Sequence, residues 1–440
     1  MKYLPEWESI RAHQLPSWFD EAKFGIFIHW GSYSVPAWAN PSCELGTVSD
    51  KEWYANDPYA EWYQNSVRIG HGPTYEHHCR VYGKDYPYEN FADLWKAEKW
   101  DPDAWADLFR RAGAKYVIPA TKHHEGLCLW NSAYTDYNTF QRGPKRDIVK
   151  ELSASVRNAG LRFGVYYSGL LDWRFSKSAI MDDYDLRHPE NITYAYADYA
   201  YNQVMELIDK YQPSVLWNDI GWPYKGEQDL PYLFAHYYNA VPEGVTNNRW
   251  NDLWCDFWNR EYELKEKGPT EKWECIRGLG LSFGFNQMED DSNMIGYNEL
   301  IELLVATVAD NGNLLLNVGP QANGIIPEAQ RQRLLWLGSW LSENGEAIYG
   351  TKPYGIPPEK ISSGETVYFT RKSSNLYMII CSPAAGRCRI TLRCPQNIVP
   401  EQVLGEKPCS FERCGENLTV TLDGIEASSA PVTVKCRMEP

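Results

Sequence analysis

Short apolar runs alternate with longer stretches of helical periodicity over about 340 residues, the pattern of a parallel sheet built from βα units. The first strand expected is Phe24 to His29. A helix over roughly 102–112 follows, opened by Asp101 and Pro102 and closed near Gly113. The strand Tyr116 to Ala120 runs into Thr121, Lys122, His123 and His124, and a helix over 147–159 ends at Gly160. The strand Arg162 to Tyr167 leads to Ser168 and Gly169, and a helix near 196–211 precedes a strand ending at Asp219. Beyond it the periodicity predicts a helix near 229–239, a strand leading to Arg249, a strand around 280–286, a helix at 297–309, the strand Leu314 to Val318 and a helix at 327–345. The count approaches eight βα units, so a (β/α)8-like TIM barrel is expected over residues 1–348.

After Tyr349 and Gly350 the period shortens to two. Segments 366–371, 376–381, 388–393, 418–422 and 432–436 alternate apolar and polar residues between turns rich in Gly, Pro, Ser and Asn. Residues 349–440 are therefore expected to form a small all-β sandwich.

Composition narrows the class. At 440 residues the chain exceeds the usual size of one hydrophobic core, and 43% hydrophobic with 23% charged residues is ordinary for a globular protein. The unusual counts are 19 Trp and 30 Tyr, rings that can both stack and hydrogen-bond, as carbohydrate recognition requires. A net charge of −15 argues against nucleic-acid or anionic-membrane partners, which need a basic surface. The opening MKYLPEWESIRAHQLPSWF shows no apolar stretch of signal-peptide type, and no run reaches membrane-span length, so a cytoplasmic location is expected. The 11 Cys are odd in number, with six after residue 380, which favours free thiols over a disulfide framework and gives the sequons at Asn191 and Asn417 little weight.

The segment LWNDIGWP at 216–223 carries the first chemistry. An apolar run delivers Asn218 and Asp219 into a Gly221, Trp222, Pro223 turn, so the Asp219 carboxylate sits at a strand's C-terminal end, where α/β barrels place their sites. Its plainest reading is a local cap in an Asx-type turn. Yet His29, His123, His124, Tyr166, Tyr167, Asn248 and Arg249 also fall at predicted strand ends and converge on one rim. The flanking aromatic residues suggest a sugar ligand, and sugar hydrolysis asks for two carboxyl groups. Asp219 is the first candidate. Asp252, Asp256, Glu261, Glu52 and Glu61 all remain open for the second. His123, His124 and Glu125 resemble metal ligands, but neighbours on a strand point to opposite faces and no HExxH pair is present, so neither metal nor cofactor is expected.

Six ordered segments carry a family resemblance: 18–31, 95–126, 142–152, 216–223, 273–286 and 310–324, reading WFDEAKFGIFIHWG, WKAEKWDPDAWADLFRRAGAKYVIPATKHHEG, RGPKRDIVKEL, LWNDIGWP, WECIRGLGLSFGFN and DNGNLLLNVGPQANG. Together they resemble the α-L-fucosidases of glycoside hydrolase family 29 through essentially the whole barrel. The resemblance implies a retaining exo-glycosidase that removes terminal α-L-fucose from fucosylated glycans or glycosides. Asp219 matches the nucleophile, and Arg249 matches an arginine that favours its ionised form. Glu261, 42 residues after Asp219, falls where similar bacterial members carry the general acid/base. His29, Glu61, Trp62, His123, His124 and Tyr166 match fucose-contacting positions, with Trp62 and Trp222 offering apolar faces to the C6 methyl. The expected partner is the fucosylated substrate, and a homo-oligomer is in keeping with the family. Two competing functions stay open. One is a non-catalytic carbohydrate-binding protein on the same scaffold. The other is a metal-dependent hydrolase using His29, His123 and His124, which predicts chelator sensitivity.

Overall fold

A computed structural model describes residues 2–262, 271–405, 408–426 and 429–439. Eight strands share one sheet: β1 (Phe24–Ile28), β2 (Tyr116–Lys122), β3 (Arg162–Ser168), β4 (Val215–Asp219), β5 (Val245–Thr246), β6 (Trp258–Glu261), β7 (Trp273–Gly278) and β8 (Gly312–Val318). Their spatial order is β5-β4-β3-β2-β1-β8-β7-β6, and every pairing is parallel. The two ends of that path meet. A parallel bridge joins Asn247 to Phe257, and the Asp256 amide donates to the Thr246 carbonyl at 2.8 Å, so the sheet curls into a barrel.

Helices Pro102–Arg111, Ile148–Asn158, Tyr194–Tyr211, Leu230–Ala240, Tyr297–Ala309 and Glu328–Asn344 follow β1, β2, β3, β4, β7 and β8. The first shows how local sequence sets an end. The Asp101 carboxylate accepts from the amides of Asp103 and Ala104, Pro102 occupies the first turn, and Gly113 leaves the helix at φ +91°, where a Cβ would lie 2.6 Å from the Tyr349 hydroxyl. Between β5 and β6, residues 247–257 form no helix, so the eight strands carry fewer than eight βα units.

One expected strand is displaced. Residues 280–286 are irregular, and the strand is Trp273–Gly278. Its alternation is hidden because Glu274 turns into the barrel interior, where it accepts from the Tyr116 hydroxyl at 2.6 Å and the Trp217 indole at 3.1 Å. Within 280–286, Phe283 instead lines the cavity at the strand ends. β6 was not foreseen: four residues containing Asn, Arg and Glu lack an apolar signature.

The C-terminal part is two antiparallel sheets. Strands Glu359–Lys360, Thr366–Lys372, Asn375–Cys381, Val432–Met438 and Ile398–Val403 lie in that order, with Lys352–Pro353 paired to Thr366–Lys372; Gly386–Arg393, Asn417–Ile425 and Cys409–Cys414 form the second sheet. Val367, Met378 and Ile380 of one face Ile390, Leu392, Val420 and Leu422 of the other in a common core, as a sandwich requires. The alternation expected over 376–381 is not present: the segment is apolar throughout, because the alternate residues Tyr377, Ile379 and Cys381 are buried in the barrel-side core. The Tyr368 hydroxyl donates to Glu302, and the Trp340 indole donates to the Pro431 carbonyl at 2.8 Å, tying sandwich to barrel. All eleven cysteines are free thiols. Among the described residues no helix is long and apolar enough to cross a membrane.

Candidate active site

At the C-terminal ends of the barrel strands a cavity of about 150 Å³ is lined by nine of the ten residues that the family resemblance assigns to a site: His29, Glu61, Trp62, His123, His124, Tyr166, Asp219, Arg249 and Glu261. Its size is that of a small-ligand site below the usual range of about 300–1,000 Å³ for drug-sized ligands, which suits one sugar ring.

Asp219 ends β4 and is 7% exposed. Its Oδ2 accepts from the Tyr166 hydroxyl at 2.6 Å, and its Oδ1 accepts from Arg249 Nη1 at 2.5 Å and from the Ile220 amide at 2.9 Å. Burial pushes its carboxyl up, but Arg249, Tyr166 and His123 outweigh it and hold the pKa below the ordinary carboxylate value. Arg249 donates from Nη2 to Glu261 Oε2 at 2.9 Å and lies over the Trp217 ring at 4.9 Å. One guanidinium thus spans both carboxylates, and Glu261 Oε1 also accepts from the Tyr59 hydroxyl at 3.1 Å.

The turn that carries Asp219 is strained and clamped. Ile220, a β-branched residue, sits at φ +63°, a conformation such residues rarely adopt outside functional sites. Asn218 donates to the Gly221 carbonyl at 2.9 Å and to the Arg249 carbonyl at 2.5 Å, while Asn251 accepts from the Trp222 amide and donates to its carbonyl. These amides fix the loop after β4 to the loop after β5, and so fix Asp219 against Arg249.

Two imidazoles have their tautomers dictated by neighbours. Asn317 Nδ2 donates to the Phe283 carbonyl, which leaves Oδ1 to accept from His29 Nδ1 at 2.7 Å. The Ser168 hydroxyl donates to the Leu171 carbonyl, so its oxygen accepts from His124 Nδ1 at 2.7 Å. Each ring therefore keeps its Nε2 lone pair free to accept a hydroxyl proton. Burial, reinforced for His29 by His123, lowers the His29 pKa to about 3; burial lowers His123 to about 3 and takes His124 well below its usual value. All three are neutral at physiological pH. Glu61 Oε2 accepts from the Gly284 amide at 2.7 Å and the Ser282 hydroxyl at 3.2 Å, and burial raises its pKa to about 7. Trp62 meets His124 edge to face at 5.1 Å between centroids.

Of the other carboxyl candidates, Glu52 is exposed on helix Asp50–Ala55, Asp252 pairs with Asn248, and Asp256 is tied to His13, Tyr238 and the Thr246 amide away from the cavity. Trp222 does not line it either. Its indole is buried against Trp250 and donates to the Gly226 carbonyl, because the turn after Asp219 rotates the side chain into the outer core. Its sequence proximity to Asp219 gave no information on direction. Missed from the sequence were Phe27, Trp217 and Ile276 on the strands, Trp53 and Tyr54 on helix Asp50–Ala55, Leu186 on helix Asp183–Arg187, and Leu45, Tyr59, Ile220 and Phe283 on the loops. Strand parity could have found two of these, since Phe27 precedes His29 by two residues and Trp217 precedes Asp219 by two. Among the described residues no three His, Cys, Asp or Glu side chains converge as a metal-binding group.

Comparison with known proteins places these features in a family. The family model described as α-L-fucosidase matches residues 1–346. The tissue α-L-fucosidase of Homo sapiens is 36% identical over 394 residues, covering 86% of this chain and 78% of that protein. The crystal structure of a Thermotoga maritima α-fucosidase in complex with fucose is 49% identical with a TM-score of 0.89, covering 99% of this chain and 100% of that one. A second structure of that enzyme, in complex with a mechanism-based inhibitor, is 50% identical with a TM-score of 0.92 and the same coverage.

Proposed function

The chain belongs to the α-L-fucosidase family, a family of glycoside hydrolases, and from that premise we propose that it hydrolyses terminal α-L-fucosides by double displacement, with Asp219 as nucleophile and Glu261 as general acid/base. The observation that carries this reading is the Arg249 guanidinium held between the two carboxylates, at 2.5 Å from Asp219 and 2.9 Å from Glu261. A shared guanidinium draws two carboxyls toward the separation of about 5–5.5 Å used by retaining enzymes, rather than the wider gap that admits a water between them.

In the first step Asp219 Oδ attacks the anomeric carbon as the bond to the leaving oxygen breaks, and Glu261 gives that oxygen a proton. In the second, Glu261 takes a proton from water, whose oxygen attacks the anomeric carbon and releases Asp219. The depressed pKa of Asp219 keeps the attacking group anionic. The neutral imidazoles of His29, His123 and His124 suit sugar hydroxyls, which need acceptors, and the clamped turn at Ile220 spares reorganisation in the transition state. The crystal structure of the similar Thermotoga enzyme with fucose supports a monosaccharide of this kind in the cavity. An apolar wall accommodates a C6 methyl and strands an added hydroxyl there, a discrimination of about 10²-fold.

The test is hydrolysis of 4-nitrophenyl α-L-fucoside and α-D-galactoside by wild type and Asp219→Gly, with and without EDTA. The fucoside is cleaved by wild type alone, chelator has no effect, and azide restores part of the turnover of Asp219→Gly by occupying the place of the carboxylate. Chelator-sensitive cleavage would select the metal-dependent reading, and no cleavage of either sugar would select the binding-protein reading.

A further inference from the structure

The third imidazole lacks the anchor that the other two have. His123 Nδ1 is buried without a hydrogen-bond partner, and the Glu125 carboxylate faces it, with Oε2 3.6 Å away. Glu125 is itself 1% exposed, and neither of its oxygens has a hydrogen-bond partner beyond its own backbone amide. A buried carboxyl without a side-chain partner beside an unpaired buried imidazole costs free energy on both sides unless the two groups serve each other.

The surroundings leave few other roles for this carboxyl. Lys122, two residues before His124, is engaged at 3.0 Å by Asp172, and the Asp172 Oδ1 accepts from the Arg174 amide. The phenols of Tyr33, Tyr88 and Tyr137 also lie near Glu125; the hydroxyls of Tyr33 and Tyr137 have no partner, and that of Tyr88 accepts from Ser32. Backbone shape makes room for the arrangement. A Cβ on Gly31 would lie 2.7 Å from the Tyr33 ring and 3.0 Å from Glu125 Oε1. The Tyr33 ring in turn meets His123 edge to face at 5.5 Å.

We propose that Glu125 is the positioning residue for His123: it accepts the proton on His123 Nδ1, so that the ring shows its Nε2 lone pair to the cavity. All three histidines then share one design. Asn317 anchors His29, Ser168 anchors His124 and Glu125 anchors His123, each by Nδ1, and the site offers three acceptors to a sugar that carries hydroxyls. Burial raises the Glu125 pKa to about 8, yet the acid's carbonyl oxygen accepts as the carboxylate does, so the contact survives in both protonation states. Glu125 touches neither substrate nor reacting atoms, and acts only through His123. This assignment deepens the α-L-fucosidase reading for the cavity and rests on it for its kinetic part only.

The first test needs no substrate. With ¹⁵N-histidine labelling of the full chain, and the His123 signals assigned by their loss in His123→Phe, the ring nitrogen shifts report the tautomer. The expected result is the Nδ1–H form in wild type and in Glu125→Gln, and a mixture in Glu125→Leu. An Nε2–H ring in wild type would overturn the proposal, whatever the enzyme's activity. The second test is kinetic, on 4-nitrophenyl α-L-fucoside. Losing one hydrogen bond to a sugar hydroxyl raises KM about tenfold in Glu125→Leu with kcat within about threefold, and Glu125→Gln restores it. Combined with His123→Phe, Glu125→Leu adds no further loss. Additive losses in the double variant, or a fall in kcat at unchanged KM, would show Glu125 to be merely structural. A wild type that leaves the fucoside intact would refute the functional reading while the tautomer result stands on its own.

Discussion

Replacing Arg249 by Met separates the electrostatic from the packing role of this residue, because Met retains the long apolar contact with the Trp217 face. Asp219 Oδ1 would lose the guanidinium at 2.5 Å and keep the Tyr166 hydroxyl at 2.6 Å on Oδ2 and the Ile220 amide at 2.9 Å on Oδ1. A hydrogen bond to a charged group is worth about 1.5–3 kcal/mol net. At about 1.36 kcal/mol per pKa unit, the Asp219 pKa should rise by about 1–2 units. The sign follows from the wild type, in which the folded value lies below the ordinary one: the Asp219 anion is present above that value and is lost as pH falls through it. The acidic limb of kcat/KM against pH, which reports the free enzyme, should therefore move upward by about 1–2 units in Arg249→Met. The assay is a pH series on an activated aryl α-L-fucoside. An acidic limb that stays in place, with only the plateau lowered, would refute the claim that Arg249 sets the ionisation of Asp219.

Glu261→Ala should leave an aryl fucoside with a good leaving group nearly unaffected in its first step, and slow a fucosyl disaccharide by about 10²–10⁴-fold; equal damage to both would remove Glu261 from the acid role. Trp222→Phe should lower the melting temperature and leave the KM for the fucoside unchanged, whereas Trp62→Leu should raise KM; a KM effect at Trp222 would contradict its position in the outer core. Glu274, buried beneath the site with its pKa raised to about 7, favours the protonated form in the folded state, so its contribution to stability declines as pH rises from about 4.3 toward 7. Denaturant melts of Glu274→Gln against wild type should show the variant gaining relative stability across that window, and a constant difference would show that Glu274 does not titrate there.

The barrel and most of its site are legible in the sequence, for a physical reason. Strands buried on both faces read as apolar runs, and the polar residues that end them, His29, His123, Asp219 and Arg249, interrupt those runs where the loops begin. Family resemblance then selected Glu261 where spacing alone left five carboxylates open. What was not legible depends on contacts between distant segments. β7 was misplaced because Glu274 makes its alternation polar inside a closed barrel, and β6 has no apolar pattern at all. Trp222 sits three residues from Asp219, yet the left-handed Ile220 and the Gly221 beyond it turn it away from the cavity. Tyr59, which donates to Glu261, arrives from the long segment between β1 and β2, and no local signal ties a residue of that segment to one 202 positions later.

The central claim is that Asp219 becomes covalently attached to the sugar, and it can be read by mass. A 2-deoxy-2-fluoro-α-L-fucosyl fluoride withdraws electron density from the oxocarbenium-like transition state and slows both steps, while its fluoride leaving group lets the first proceed, so the glycosyl-enzyme accumulates. Intact-mass analysis followed by peptide mapping should show one fluorofucosyl group, carried by the peptide that contains Asp219 and absent from Asp219→Gly. An adduct on a different carboxylate would contradict the account. So would rapid turnover of an ordinary fucoside by enzyme that accumulates no adduct and releases the β-anomer.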